Sequence, residues 1–284
     1  MGVALLDRPP ERRSRRQQPI LADELVERAR PQAGRERRPG QRGRPRRGRG
    51  LVFSEQALHV TSMRRPPFYA RAMPLQNRVT PLGQVIATPE RGLVYANRGC
   101  IHDANGTVRE RRNPTKRWIA CRLDFNGRRR MPLMAPGKFT ELFFLDEATA
   151  LAAGHRPCGE CRFKDYQHLT ALWAELHPGQ VGADAIDDQL DDERRDPQTK
   201  ERRFHEAPYD GLPDGAFVML DGEPHLVLER ELLRWSPAGY TKRMRRPAGA
   251  RGRAATVITP PSLVALLATD RSPLVPLLHP TAIV

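Results

Sequence analysis

The chain has 284 residues, with 48 Lys and Arg against 33 Asp and Glu, a formal net charge of +15 and 39% hydrophobic residues. That length suffices for one large core or two small ones, and no apolar run approaches the roughly 18 residues that span a bilayer. Four cysteines with one close pair do not make a secreted disulfide framework, and Val3-Ala4-Leu5-Leu6 is cut short by Asp7 and Arg8, so no secretory signal and a reduced, cytoplasmic setting are expected.

The charge is unevenly placed. Residues 1–50 hold 15 Arg and 6 acids, +9 of the total, and contain no aromatic side chain. A segment so rich in Arg, Pro and Gly cannot bury enough apolar surface to offset ordering entropy, so residues 1–72 are expected to be a disordered tail. It reads more simply as an unselected leader ahead of Met73 than as an RGG-like arm that tracks phosphates.

From Met73 the pattern is that of a folded α+β protein. Residues 84–87 and 93–96 read as short strands, 118–125 as a stronger one, and Asn126-Gly127 as a hairpin turn. Residues 139–145 form the next predicted strand. Asp146 is a helix N-cap, 147–153 an Ala-rich helix, and Gly154 its stop. A second helix runs from Arg162 to Pro178, with Phe163, Tyr166, Leu169, Trp173 and Leu176 on one apolar face. Residues 184–206 carry nine acids and five bases and read as a solvated helix or loop. Strands at 217–220, 225–228, 232–235 and 256–259, with Asp221-Gly222 as a turn and a helix at 261–267, make a β-rich C-terminal module. The predicted organisation is thus a tail (1–72), a zinc module with its following helix (73–180), a charged connector (181–207) and the β-rich module (208–284).

Cys158-Gly159-Glu160-Cys161 is the most informative stretch. Two cysteines three apart across a Gly-containing turn form half of a structural zinc site, since tetrahedral Zn²⁺ takes thiolates at about 2.3 Å. Redox pairs of this spacing open a helix within a βαβ pattern, which is absent. Two further ligands are needed. Cys121 is the first candidate, although strand alternation also reads it as a small core residue beside Ile119 and Leu123. For the fourth, His102 leads, followed by Cys100 and His155.

The run from Phe143 to Arg162, FFLDEATALAAGHRPCGECR, resembles the metal-binding domain of the Ada methyltransferase family, a module similar to one appended to some nuclease-like proteins. In that family a strand and an Ala-rich helix precede Arg-Pro-Cys-x-x-Cys-Arg, and Ile119-Ala120-Cys121-Arg122 is similar to its first ligand segment. The resemblance covers residues 118–162 and implies a zinc-bearing α+β module, with Cys121 at the place of the thiolate that accepts a methyl group from a DNA phosphotriester. The family's first pair is Cys-x-x-x-Cys, and the matching position here is Phe125. The ligand set then becomes His102, Cys121, Cys158 and Cys161, and the fold and zinc carry over without the repair chemistry.

Residues 98–130 hold ten Lys or Arg and three acids, and a hairpin tip would present Arg128, Arg129 and Arg130 beside Lys116 and Arg117. Arginine forks suit phosphate. With no reading helix and no aromatic RNA-binding signature, the expected partner is DNA or RNA, engaged through its backbone. Two alternatives are a nuclease using Asp184, Asp187, Asp188, Asp191, Asp192 and Glu193 with His205 and Glu206, and a protein-interaction module with an apolar patch around Trp235 and Tyr240. The interleaved basic residues at 194–203 speak for an ordinary charged segment rather than catalysis. His225 reads as a strand histidine, not a base.

Overall fold

The computed structural model describes residues 73–109, 115–128, 132–247, 254–269 and 277–283. The tail at 1–72, Arg129 and Arg130 lie outside them. The described residues form two six-stranded sheets and four helices, an α+β fold, and all of them fall in one unit of the chain. None of the helices is long and apolar enough to cross a membrane.

The first sheet has the order β2-β1-β5-β3-β4-β6. Its strands are β1 (Gln76–Val79), β2 (Val85–Ala87), β3 (Val94–Asn97), β4 (Ile119–Cys121), β5 (Leu142–Phe144) and β6 (Arg156–Pro157). Two pairings are parallel, β1 with β5 and β4 with β6; the others are antiparallel. Val79, Val94, Ala96, Ala120, Leu142 and Phe144 fill one face, where Ala150 and Ala153 of the following helical segment meet them.

That segment is α1 (Glu147–Ala152), and local chemistry sets both of its ends. Asp146 accepts a hydrogen bond from the Thr149 amide at 2.9 Å, the N-cap bond that satisfies an otherwise orphan donor. At the other end the Gly154 amide donates to Leu151 O and the His155 amide to Ala150 O, the paired bonds of a Schellman stop. Gly154 has φ +84°, and a Cβ there would lie 2.8 Å from Arg194 Cδ. The residue must be glycine for two separate reasons.

Helices α2 (Phe163–Leu176), α3 (Ala183–Arg194) and α4 (Pro261–Leu267) share a second core of Leu169, Leu172, Trp173, Ile186, Leu190, Leu263 and Leu266, closed by Leu151. Only the middle of the expected α2 stripe is used. Leu169 and Trp173 are buried, whereas Phe163 and Leu176 at its ends are exposed. Helix α3 is not a solvated connector: Ile186, Asp187, Leu190, Asp191 and Arg194 are all buried.

The second sheet is antiparallel throughout, in the order β11-β10-β9-β8-β12-β7. It comprises β7 (His205–Pro208), β8 (Phe217–Leu220), β9 (Glu223–Leu228), β10 (Glu231–Ser236), β11 (Gly239–Arg245) and β12 (Ala254–Val257). Phe217, Leu226, Leu233, Tyr240 and Ile258 pack against Leu145, Ala148 and Ala152, so α1 serves both sheets. Asp146 ties the joint, accepting from Tyr240 Oη at 2.7 Å and from the His279 amide at 3.1 Å. Tyr240 is therefore a core residue, and among the described residues no large exposed hydrophobic side chain accompanies Trp235 and Tyr240 in their strands.

Candidate metal centre

Strand register explains why Cys121 and Cys158 meet. Ile119 pairs with Arg156 and Ala120 with Pro157 in the parallel β4–β6 ladder, and the Cys158 amide donates to Ala120 O at 2.9 Å. The next step of both strands sets the two cysteines side by side. The knuckle turn then brings Cys161 round to the same point. The three sulfurs lie within 4.8 Å of one another, and all three residues are buried. Four donors at about 2.3 Å from a tetrahedral ion stand about 3.8 Å apart, within the 4.8 Å that bounds this cluster. The donor set can hold a metal ion.

Amides point at the sulfurs. The Glu160 N–H donates to Cys158 Sγ at 3.4 Å and the Arg122 N–H to Cys161 Sγ at 3.4 Å. A hydrogen bond from Cys121, with help from backbone amides of the knuckle, lowers the Cys158 thiol to about 5. Cys121 is pushed far up by the same bond and by burial, and Cys161 is pushed up chiefly by burial. Three thiolates in such proximity need a cation to offset their repulsion.

None of the three expected fourth ligands joins the cluster. His102 is buried with both ring nitrogens engaged, Nδ1 with Thr140 Oγ1 at 2.6 Å and Nε2 with Ala135 O at 3.2 Å. It fastens the loop between β4 and β5 instead of ligating. Cys100 points its thiol at His102 O, 3.9 Å away. His155 is fully buried, its Nε2 accepting from Arg98 Nε at 3.2 Å, with its ring against Phe144 and Trp118. Cys121 shares an apolar wall with Tyr95, Ile119, Phe125 and Phe143, as its core reading expects, and its sulfur also belongs to the cluster that could hold a metal ion. Among the described residues no other group of His, Cys, Asp or Glu converges in this way.

Buried arginines brace the centre from behind. Arg156, at the start of β6, makes a bidentate pair with Asp187 of α3, Nε to Oδ1 at 2.8 Å and Nη2 to Oδ2 at 2.7 Å. Arg162, directly after Cys161, pairs with Glu147 and with Asp165. Trp118, directly before β4, carries two guanidinium groups, Arg98 and Arg194, at 3.7 and 3.9 Å from its ring centroid. Arg194 and Arg202 also donate to the carbonyls that end α1, at Ala152, Ala153 and Gly154. Cations suit that negative pole of the helix. The sequence did contain a signal for this: Asp187, Asp191 and Arg194 recur beside Ile186 and Leu190 at helical spacing, which marks a polar stripe facing inward.

The same pairings account for the acidic segment. Asp187 is held by Arg156, Asp191 by Arg194 and Arg195, and Asp188 by Lys116 at 3.0 Å. These carboxylates do not gather into a metal-binding cleft.

Of the expected basic patch, Asn126 (φ 54°) and Gly127 (φ 64°) form the predicted tight turn, closed by the Arg128 amide on Phe125 O at 3.1 Å. The strand before it is shorter than expected, because the chain leaves the sheet at Cys121 to build the centre. Arg128 reaches Glu160 at 2.7 Å and lies over the Phe125 ring at 5.4 Å. Arg117 is directed to α3, 3.0 Å from Asp184 and 3.8 Å from Asp187. Arg117 and Arg128 are thus not one cluster of unpaired charge. Arg122 is exposed and makes no ion pair with another described residue.

No protein family, no curated protein and no solved structure matches this chain.

Proposed function

We propose that the tricysteine centre holds zinc and fixes an arginine-bearing loop, 122–128, for contact with the phosphate backbone of nucleic acid. The observation that carries this reading is the attachment of the loop to the sulfurs. Arg122 follows Cys121 and bonds Cys161 Sγ through its amide, while Arg128 reaches back to Glu160, inside the knuckle. Zinc suits a set of buried thiolates because it is soft enough for sulfur and has no redox chemistry of its own. Keeping the thiols free for it requires a reducing compartment, in line with a cytoplasmic protein.

Arg122 offers an exposed fork with no ion-pair partner among the described residues. Arg128 is held only by an exposed ion pair, which contributes little and which a phosphate can displace. The succession of β4, α1 and the knuckle supports the likeness to the Ada metal-binding module. With Phe125 where that family has a thiolate, the reading retains zinc and leaves out phosphotriester repair.

Elemental analysis of the full chain should give one zinc per molecule, and protein without bound metal would remove the basis of the reading. Arg122→Ala with Arg128→Ala should weaken binding equally for unrelated DNA sequences. It should also flatten the slope of log affinity against log salt by roughly two units, one per lost phosphate contact. An unchanged slope would show that the loop does not meet phosphate.

A further inference from the structure

The β4–β6 ladder and the knuckle turn deliver three sulfurs to one point, and among the described residues no fourth donor comes with them. The Sγ atoms of Cys121, Cys158 and Cys161 lie within 4.8 Å of one another, and no His, Asp, Glu or further Cys among those residues completes the group. Each near candidate is engaged elsewhere. His102 is held by Thr140 and Ala135, His155 faces Arg98, and the Cys100 thiol turns to His102 O. Glu160, inside the knuckle itself, is exposed and reaches out to Arg128.

The surroundings are apolar on one side, where Tyr95, Ile119, Phe125 and Phe143 pack against the cluster. Cys121 retains 6% exposure and Cys158 and Cys161 8% each, so the sulfurs lie just beneath the surface rather than deep in the core. Backbone bonds set their positions: the Cys158 amide is tied to Ala120 O at 2.9 Å, and the Glu160 and Arg122 amides meet Cys158 Sγ and Cys161 Sγ at 3.4 Å. An ion that uses all three sulfurs therefore orders little of the chain when it binds.

Three sulfurs without a fourth donor select by geometry and by charge. Zn²⁺ on three thiolates bears one net negative charge and takes its fourth ligand from elsewhere. Trivalent arsenic bonds to three sulfurs and no more, because a lone pair fills its fourth corner, and the product is neutral. A neutral complex against an apolar wall is less costly than a charged one, and soft sulfur suits a soft ion. We propose that the cluster binds trivalent arsenic, taken from arsenous acid, on all three of its sulfurs. Each thiol gives its proton to one hydroxyl of arsenous acid, an As–S bond replaces each As–O bond, and three waters leave. No electron changes hands, so neither oxidant nor reductant is required. Where zinc is already bound, the three protons come from solvent and one Zn²⁺ departs for each arsenic taken up. That exchange, a regulation of the centre, rests on the proposed zinc reading; arsenic binding itself rests on the sulfurs alone.

Native mass spectrometry of the full chain as purified, kept reduced with a phosphine and mixed with sodium arsenite, tests the binding. A phosphine is used because a dithiol reductant competes for arsenic. The expected product is one arsenic per chain, its mass raised by one arsenic atom less the hydrogens of three thiols. Arsenic X-ray absorption on the same sample should show three sulfur neighbours and no oxygen. On zinc-loaded protein, a colorimetric indicator should read one zinc released per arsenic bound. Cys158→Ser and Cys121→Ser should each weaken arsenic binding roughly a hundredfold, since every sulfur on a shared ion acts as a tethered ligand. Cys100→Ser, outside the cluster, should bind as the wild type does, and this variant keeps the test decisive if the cluster variants do not fold. An oxygen neighbour, an adduct that keeps a hydroxyl on two sulfurs, or loss of arsenic in Cys100→Ser would each overturn the proposal. Protein that holds zinc but takes no arsenic, even after chelation, overturns it while leaving the zinc reading intact. Protein that takes arsenic on three sulfurs but never holds zinc supports it and removes the zinc reading instead.

Discussion

Asp187→Ala is the sharpest test of how the interior is held. The carboxylate and Arg156 are both about 95% or more removed from solvent at the side chain, with relative exposures of 5% and 4%. Burial raises the Asp187 carboxyl above its usual range, even though Arg156 and Arg117 pull it down. Desolvation therefore outweighs the ion-pair attraction, and the pair contributes little net stability relative to an apolar pair of similar volume. Breaking it is another matter. Removing the carboxylate leaves a guanidinium buried against Tyr166, with Pro157 O at 3.2 Å as its remaining neutral acceptor. Loss of one partner of a buried pair costs about 3–5 kcal/mol, roughly 6–20 °C of melting temperature for a domain of this size. Because Arg156 stands two residues before Cys158, the same variant should also hold metal less firmly. The double variant Asp187→Leu, Arg156→Met removes both charges and should recover most of the loss. Chemical denaturation of the three proteins in excess zinc measures both differences. An Asp187→Ala variant within about 1 kcal/mol of wild type, or a double variant as unstable as the single, would refute this account.

Three further outcomes are expected. Cys158→Ser should release metal and lower the melting temperature, since metal binding here is also folding free energy, and a strong chelator should do the same to the wild type. Identical melting with and without chelator would contradict a structural role for the ion. Gly154→Ala should cost more than Gly106→Ala: both glycines have positive φ, about 1–2 kcal/mol for an L residue, but a methyl at Gly154 also collides with Arg194 while nothing lies within 4 Å at Gly106. Equal urea midpoints for the two variants would show that Arg194 moves freely. His155 is held neutral well below its ordinary range, first by burial and then by Arg98, Arg194 and Arg202. The unfolded chain takes up a proton near pH 6.5 and the native chain does not, so stability falls as pH drops below about 6.5, by up to 1.36 kcal/mol per pH unit. His155→Phe should flatten that slope between about pH 6.5 and pH 5.5, and a slope that persists unchanged would assign it to other groups.

The order of signals along the chain determined what local chemistry can determine. Asp146 and Gly154 fix α1 because a cap and a left-handed stop act within a few residues of sequence. Asp221 (φ 50°) and Gly222 (φ 77°) fix the β8–β9 turn in the same way. The Cys158–Cys161 spacing gave two donors, and Cys121 was legible as a third. Four strands were not legible. β7 and β11 are sheet edges, His205-Glu206-Ala207-Pro208 and Gly239-Tyr240-Thr241-Lys242-Arg243-Met244-Arg245, where one-sided pairing allows a polar sequence that lacks clean alternation. β6 is two residues long, and β1 carries Asn77 buried where an apolar residue would be expected.

Only the tertiary structure decided the rest. His102 and Arg128 sit in equally polar surroundings on the page; one locks a loop through Thr140 and Ala135, the other crosses to Glu160. Arg194 and Lys200 look alike in a charged run, yet one is buried beneath Trp118 and the other is at the surface. The fate of a polar side chain depends on which distant partner the folded chain supplies, since burial of a charge is tolerated only where that partner exists. Capping and alternation are written into neighbouring residues, whereas such pairings join residues 31 to 78 positions apart, as in Arg156 with Asp187 and Arg194 with Lys116 O. No local pattern encodes them, and the tricysteine centre exists because the β4–β6 register, itself such a pairing, places Cys121 beside Cys158.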